Sequence, residues 1–360
     1  MKVKILDAYI IRKFLSTFFF SILLIISIAV VFDISEKIDD FIDKKAPLRA
    51  IFIDYYSGFV PYFANLFSPL FVFISVIFFT SRLANKTEII AMYAAGISFK
   101  RLLMPYLAAA TVIASLSLYL NHYVIPAANK KRLDFEEKYI RNPFVYKHRN
   151  IHRMIAPGEY IYFESFSASD KAGYRFAHEK IVDNNLIYKM TADRCVWDSV
   201  NNRWRLENYF ERSINGTDEI IRQGLTLDTV YAFNAEQFRR RESNIETMRT
   251  AALKQFIKDE RERGVEYTSY MEVEQHRRTS FPFATFILTI IGLSVSSRKV
   301  RGGTGMQLGI GIVLSFTYIM FMQISTTFAI KSNFSPLLSV WIPNLIFAVI
   351  AFVLYRRAAN

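Results

Sequence analysis

The chain has 360 residues, of which 52% are hydrophobic and 21% are charged, and its formal net charge is +13. This mixture predicts long apolar segments combined with a water-exposed part. The single cysteine, Cys195, excludes an intramolecular disulfide framework, and we expect it to be a small core residue.

Three long apolar stretches lie in the first 125 residues, and three more follow residue 280. They cover residues 14–31, 58–80, 102–125, 281–297, 302–330 and 332–355. About 20 helical residues cross a hydrocarbon core of about 30 Å, so the stretches have the length of membrane spans. None of them contains Asp, Glu, Lys or Arg, and an ion relay through the bilayer is therefore not expected.

The basic residues flank alternate ends of these stretches. They are Lys2, Lys4, Arg12, Lys13, Arg82, Lys86, Lys100, Arg101, Arg298, Lys299, Arg301, Arg356 and Arg357. The positive-inside rule then predicts that both termini are cytoplasmic and that the insert between the third and fourth stretches is periplasmic. The insert itself is nearly balanced, with 27 basic and 24 acidic residues. The net charge therefore indicates topology, and no nucleic-acid partner is expected.

The insert has the pattern of strands followed by helices. Residues 159–166 and 186–192 are rich in aromatic and β-branched side chains, and Asn215-Gly216 suits a tight hairpin turn. Short strands at regular spacing predict a sandwich, barrel or jelly roll. Residues 247–280 have the pattern of a helical connector.

The predicted fold is an α-helical membrane protein with six transmembrane helices and an inserted periplasmic all-β, jelly-roll-like domain. Transmembrane helices one to three occupy residues 1–125, with a short cytoplasmic helix at about 86–95. The β domain occupies 126–246, the helical connector 247–280, and transmembrane helices four to six 281–360. The sequence has no P-loop, H-E-x-x-H or G-x-S-x-G motif. We therefore expect no catalytic residue and no metal site, and a chain that is passive or driven by a partner.

Residues 80–101, TSRLANKTEIIAMYAAGISFKR, predict the short helix between spans two and three. Asn85 and Glu88 have the spacing of a capping box. An apolar face follows at helical spacing, made by Ile89, Met92, Tyr93 and Gly96. Gly96 is also expected to end the helix. Such a helix either lies on the lipid surface or docks into a groove on a cytoplasmic partner.

The order of spans and three motifs resemble the lipopolysaccharide export permease family (LptF/LptG). Residues 87–98, TEIIAMYAAGIS, resemble its coupling helix. Residues 192–208, ADRCVWDSVNNRWRLEN, resemble its β segment with two tryptophans. Residues 281–303, FPFATFILTIIGLSVSSRKVRGG, resemble its fourth span and the basic loop that follows. The resemblance covers nearly the whole chain.

This resemblance implies a function and a set of partners. Two homologous permease subunits would pair, and each would dock its coupling helix on a cytoplasmic ABC ATPase dimer. Glu88 matches the acidic contact to that ATPase, which would use the ATP, so no cofactor is expected on this chain. The cargo would be lipopolysaccharide, extracted from the inner membrane and passed to a periplasmic β-jelly-roll bridge protein. A permease for another lipid or for lipoproteins, and a membrane-anchored periplasmic sensor or scaffold, are the alternatives.

Basic residues beyond span one are candidates for binding the phosphates of such a cargo. They are Lys37, Lys44, Lys45 and Arg49. Six acidic residues share residues 33–57 with them, so a solvated amphipathic extension is the competing interpretation. In span five, Gly305 and Gly309 have the spacing that permits close helix packing, either static or as part of a mobile gate.

Overall fold

The computed structural model describes residues 5–140, 150–167, 170–216, 218–231, 233–235, 242–262, 268–297, 303–332 and 334–359. The chain divides into two compact units. The first comprises Met1–Tyr139, Ile245–Leu253 and Ser269–Asn360, and the second comprises Ile140–Asn244 and Lys254–Thr268. Five basic residues that carry the topology prediction lie outside the described residues: Lys2, Lys4, Arg298, Lys299 and Arg301.

Six helices of the first unit are long and apolar enough to cross a membrane, within the described part of the chain. They are α1 (Ile5–Asp43), α2 (Leu48–Asn85), α4 (Phe99–Tyr139), α6 (Ser269–Ser296), α7 (Gly303–Lys331) and α8 (Pro336–Ala359). The short helix α3 (Glu88–Ala94) lies between α2 and α4. The prediction of six spans is confirmed. Four of the helices, α1, α2, α4 and α6, extend well beyond their apolar stretches, because helical structure continues into the polar flanks.

Helix α2 is the centre of the first unit because two of its faces are buried in different apolar clusters. Val72 and Val76 pack with residues of α1, α3 and α4, including Phe14. Phe73 and Ile77 pack with residues of α6, α7 and α8. Helices α2 and α4 each also contain a π-helical stretch, Ile51–Tyr56 and Leu120–Val124.

The second unit contains one antiparallel sheet of seven described strands. They are β1 (Ile151–Ala156), β2 (Glu159–Phe163), β3 (Ser165–Ser167), β4 (Ala172–Val182), β5 (Asn185–Asp198), β6 (Arg203–Asn215) and β7 (Asp218–Thr229). Their order is β1-β2-β4-β5-β6-β7, with β3 paired to β4. The predicted all-β domain is confirmed, as one sheet that is not closed. Gly216 has φ +63° in the turn between β6 and β7, as the hairpin prediction requires.

One face of this sheet is buried. Its core includes Phe163, Phe176, Trp204 and Cys195, all with exposed fractions of 2% or less. The indole Nε1–H of Trp204 donates to the backbone oxygen of Phe233 at 2.9 Å. Cys195 is a core residue as predicted, and burial raises the pKa of its thiol.

The described residues from 242 to the start of α6 are largely helical. A 3-10 segment, Glu242–Thr247, is followed by α5 (Thr250–Glu262). The remainder of the predicted connector, from Ser269, forms the first turns of α6.

Candidate functional site

The ends of α3 are set by backbone conformation. Thr87, just before the helix, has φ +59°, and its side chain makes no capping hydrogen bond. The predicted capping box of Asn85 and Glu88 is therefore wrong, because α2 continues through Asn85. The Glu88 carboxylate instead accepts a long hydrogen bond, 3.5 Å, from the hydroxyl of Tyr9. Gly96, with φ +80°, follows the helix and ends it as predicted.

The predicted apolar face of α3 is divided between the core and the surface. Ile89 is fully buried and Met92 packs against the same cluster, so these two side chains hold α3 to the rest of the first unit. Ile90 is 56% exposed and Tyr93 is 37% exposed. Ile90 is absent from the predicted site, although adjacent apolar residues on a helix necessarily lie on different faces. Ile90 and Tyr93 form the outer face of α3, three residues apart.

Lys37 belongs to a partly buried polar cluster. Its ammonium group contacts both the Asp33 carboxylate and the Tyr55 hydroxyl. The same carboxylate accepts hydrogen bonds from Tyr55 and Tyr56, each at 3.0 Å. Both tyrosines lie on the π-helical stretch of α2, which brings their two hydroxyls to one carboxylate. The Lys37 charge is therefore balanced inside the chain.

The other three predicted phosphate contacts lie around the turn between α1 and α2. Lys44, Lys45 and Arg49 are exposed there. Lys45 has φ +51°, and the following N–H, of Ala46, donates to the Phe41 oxygen at 2.8 Å. This bond closes the end of α1 in the manner of a Schellman motif. The structure thus places three cations together at one exposed turn and sets Lys37 apart.

A second buried polar cluster joins α6 to the segment that precedes α5. Arg278 is 4% exposed, and its guanidinium donates to the Ile245 oxygen at 3.1 Å and the Met248 oxygen at 2.7 Å. It also contacts the Glu274 carboxylate at 2.9 Å, and Arg277 contacts the same carboxylate at 2.7 Å. These three charged residues lie in the part of α6 that precedes its apolar stretch, residues 281–297. This cluster was not predicted from the sequence; its local signals are the three- and four-residue spacings from Glu274 to Arg277 and Arg278.

Asparagine side chains extend this cluster between α2 and α4. Asn65 donates to Asn121 at 2.8 Å and accepts from Ser117 at 2.6 Å. Asn129 donates to Glu246 at 3.4 Å, and burial and the Glu274 carboxylate raise the pKa of Glu246. A cavity of about 40 Å³ lies among these residues, which is room for water. The arrangement suits a fixed structural contact between α2, α4 and α6 better than a catalytic centre.

The two glycines predicted for packing in span five have open surroundings within this chain. A Cβ added at Gly305 or Gly309 would meet no atom within 4 Å. Close approaches occur instead at Gly311, where a Cβ would lie 2.3 Å from Ile77, and at Gly292, where it would lie 2.9 Å from Val76. Gly305 and Gly309 lie on the exposed side of α7, so close helix packing at these glycines is not made inside this chain and stays a prediction for contact with another chain.

Comparison with known proteins decides the family. The family model described as "Lipopolysaccharide export system permease LptF/LptG" matches residues 8–357. The chain belongs to the LptF/LptG family. The predicted resemblance is thus confirmed, and the chain is a lipopolysaccharide export permease, a multi-pass protein of the inner membrane. No curated protein matches the chain in a direct sequence comparison.

Proposed function

We propose that this LptF/LptG permease is one membrane subunit of an ATP-driven exporter that extracts lipopolysaccharide from the inner membrane. In this proposal it pairs with a second homologous permease, and both dock on a cytoplasmic ABC ATPase dimer. The chain itself binds no cofactor, and the ATPase uses the ATP. The family match over residues 8–357 is the observation that carries the proposal.

The orientation follows from the positive-inside rule. Both termini and α3 are cytoplasmic, and the sheet is periplasmic. In this orientation the exposed face of α3, with Ile90 and Tyr93, is accessible to the ATPase. Ile89 fixes the helix in the core, so a displacement of α3 by the ATPase would act directly on α2 and α4. Glu88 would supply the acidic contact at the start of the helix.

The cargo phosphates would meet the cations at the periplasmic end of α1. Lys44, Lys45 and Arg49 are exposed and available for charge-assisted hydrogen bonds. Lys37 would first have to exchange its Asp33 partner for a phosphate. The exposed Gly305 and Gly309 of α7 would face the second permease, where small residues permit close helix approach.

A long edge strand supports the proposed bridge partner. Strand β7 has one described neighbour, β6, and most of its 12 residues are exposed on both faces. Ile220, Ile221 and Leu225 are exposed along it, the last by 78%. An edge strand with exposed apolar side chains is a template for pairing with another sheet. We infer that the bridge protein adds a strand at β7.

Purification from membranes in mild detergent tests the proposal. The co-purifying proteins and lipids are identified by mass spectrometry. We expect an ABC ATPase, a second permease and lipopolysaccharide. If a different lipid or lipoproteins co-purify, the proposed cargo is wrong. If the folded chain is recovered without any ATPase, the sensor or scaffold alternative is supported.

A further inference from the structure

The sheet has a groove on the face opposite its buried core. The groove is about 650 Å³, within the range of about 300–1,000 Å³ that is usual for small-molecule sites. Its floor is formed where small side chains, Ala177 and Thr191, are paired across β4 and β5. Longer side chains of the neighbouring rows form the walls, among them Tyr160, Glu179 and Lys189.

One wall of the groove follows a line of irregular backbone across three strands. The register places Arg175, Asp193 and Asn208 side by side on β4, β5 and β6. Arg175 has φ +50° and Asn208 has φ +51°. Non-glycine residues rarely adopt this conformation, and it persists where the surrounding structure imposes it, often at functional sites. In a regular strand, residues on the same face are an even number of positions apart. Ala192 and Cys195 are three positions apart and both lie in the core, so the alternation of the strand is interrupted between them.

The chemistry of the lining is that of a site for a polar, uncharged ligand. Its charged members are Arg175, Lys189, Glu179 and Asp193, two of each sign. Glu179 and Lys189 pair at 2.7 Å, and the Asn208 amide donates to Asp193 at 3.0 Å. A net charge near zero disfavours a purely anionic ligand. Paired carboxylates, amides and basic groups are well placed to exchange hydrogen bonds with hydroxyl groups.

Aromatic rings complete the lining. Tyr160 is 43% exposed. The Tyr162 hydroxyl donates to Asn150 at 2.8 Å, and its ring lies 4.7 Å from that of His152, so this ring is held in place. A flat aromatic surface beside hydrogen-bonding groups matches the alternating apolar and hydroxyl faces of a sugar ring. A peptide strand could not be added here, because the strands at the floor are paired on both sides.

We propose that this groove binds the saccharide part of the lipid that the permease carries. This inference rests on the proposed function and adds a sugar site on the outward face of the sheet. The acyl chains would be held elsewhere, since four charged side chains line the groove.

Isothermal titration of the full-length detergent-purified protein with a neutral, unphosphorylated oligosaccharide of the hexoses found in lipopolysaccharide core tests the site. We expect saturable binding that weakens about tenfold or more in Tyr160→Ala and in Asp193→Ala. Val200→Ala is the control, because Val200 is 88% exposed in the turn between β5 and β6 and lies outside the groove lining. It should bind as wild type does. Inorganic phosphate should not displace the oligosaccharide.

The outcomes separate this inference from the cargo assignment. If the protein co-purifies with lipopolysaccharide but does not bind the oligosaccharide, the saccharide site in the groove is refuted and the proposed function stands. Equal binding by wild type and Tyr160→Ala, or displacement by phosphate, would also overturn the saccharide site. If the protein carries no bound lipopolysaccharide but binds the oligosaccharide, and this binding is lost in the groove variants, the saccharide site is supported and the proposed cargo is refuted.

Discussion

The guanidinium of Arg278 donates a hydrogen bond to the backbone carbonyl oxygen of Met248 at 2.7 Å. A second bond reaches Ile245, so one side chain on α6 holds the segment that enters α5. Removal of the guanidinium would take a charged donor away from both carbonyl oxygens, and the Ile245 oxygen would keep only its bond from the Met248 N–H. Because the Glu274 carboxylate is shared with Arg277, loss of Arg278 also unbalances a buried charge cluster.

We therefore predict that Arg278→Met destabilises the first unit by about 3–5 kcal/mol, the usual cost of removing one member of a buried ion pair. The measurement is thermal unfolding of the purified protein in detergent. Arg356→Met is the control, since Arg356 is exposed near the end of α8, and it should change stability by less than about 0.5 kcal/mol. Equal unfolding temperatures for the two variants would show that the Arg278 cluster does not stabilise the contact between α6 and the segment that precedes α5.

Two glycine positions should respond oppositely to the same substitution. Gly292→Ala places a methyl group 2.9 Å from Val76 and 3.1 Å from Phe73, and overpacking of this kind costs about 1–3 kcal/mol. Gly305→Ala meets no atom within 4 Å and gains helix propensity of up to about 1 kcal/mol. Unfolding in detergent should rank Gly305→Ala at or above wild type and Gly292→Ala below it. The reverse order would refute the packing of α6 on α2.

The thiol of Cys195 should report on unfolding of the sheet. It is fully buried, and burial raises its pKa, so little thiolate forms at neutral pH. As the sole cysteine of the chain it can be followed without substitution. We expect negligible labelling by maleimide in the native protein and complete labelling in denaturant. Rapid labelling of the native protein would contradict the described core.

Adjacent isoleucines of α3 should separate docking from folding. Ile90→Ser removes an exposed apolar contact and should reduce the amount of co-purified ATPase while leaving the unfolding temperature unchanged. Ile89→Ala creates a cavity in the core and should destabilise the protein by about 2–5 kcal/mol. If Ile90→Ser recovers as much ATPase as wild type does, the outer face of α3 is not part of the proposed interface.

Local sequence patterns predicted the elements of this protein but not their mutual contacts. The spans follow from apolar length alone, and the strands follow from aromatic and β-branched runs between turn residues. The predicted start of α3 is wrong because α2 continues through Asn85. The end of α2 depends on packing against other helices, which a capping motif does not indicate. The pairing of Lys37 with Tyr55 depends on a π-helical turn, and the Arg278 cluster unites residues about 30 positions apart. Long-range geometry of this kind has no local signal.

We propose that ATP-driven motion reaches the permease through α3 and moves lipopolysaccharide. The direct measurement uses vesicles that contain the purified complex and follows transfer of lipopolysaccharide to the bridge protein, with wild type and Glu88→Ala compared at equal protein amounts. We predict ATP-dependent transfer by wild type and strongly reduced transfer by a Glu88→Ala complex that unfolds at the wild-type temperature. Transfer by wild type without ATP, or equal transfer by the two proteins, would contradict the account.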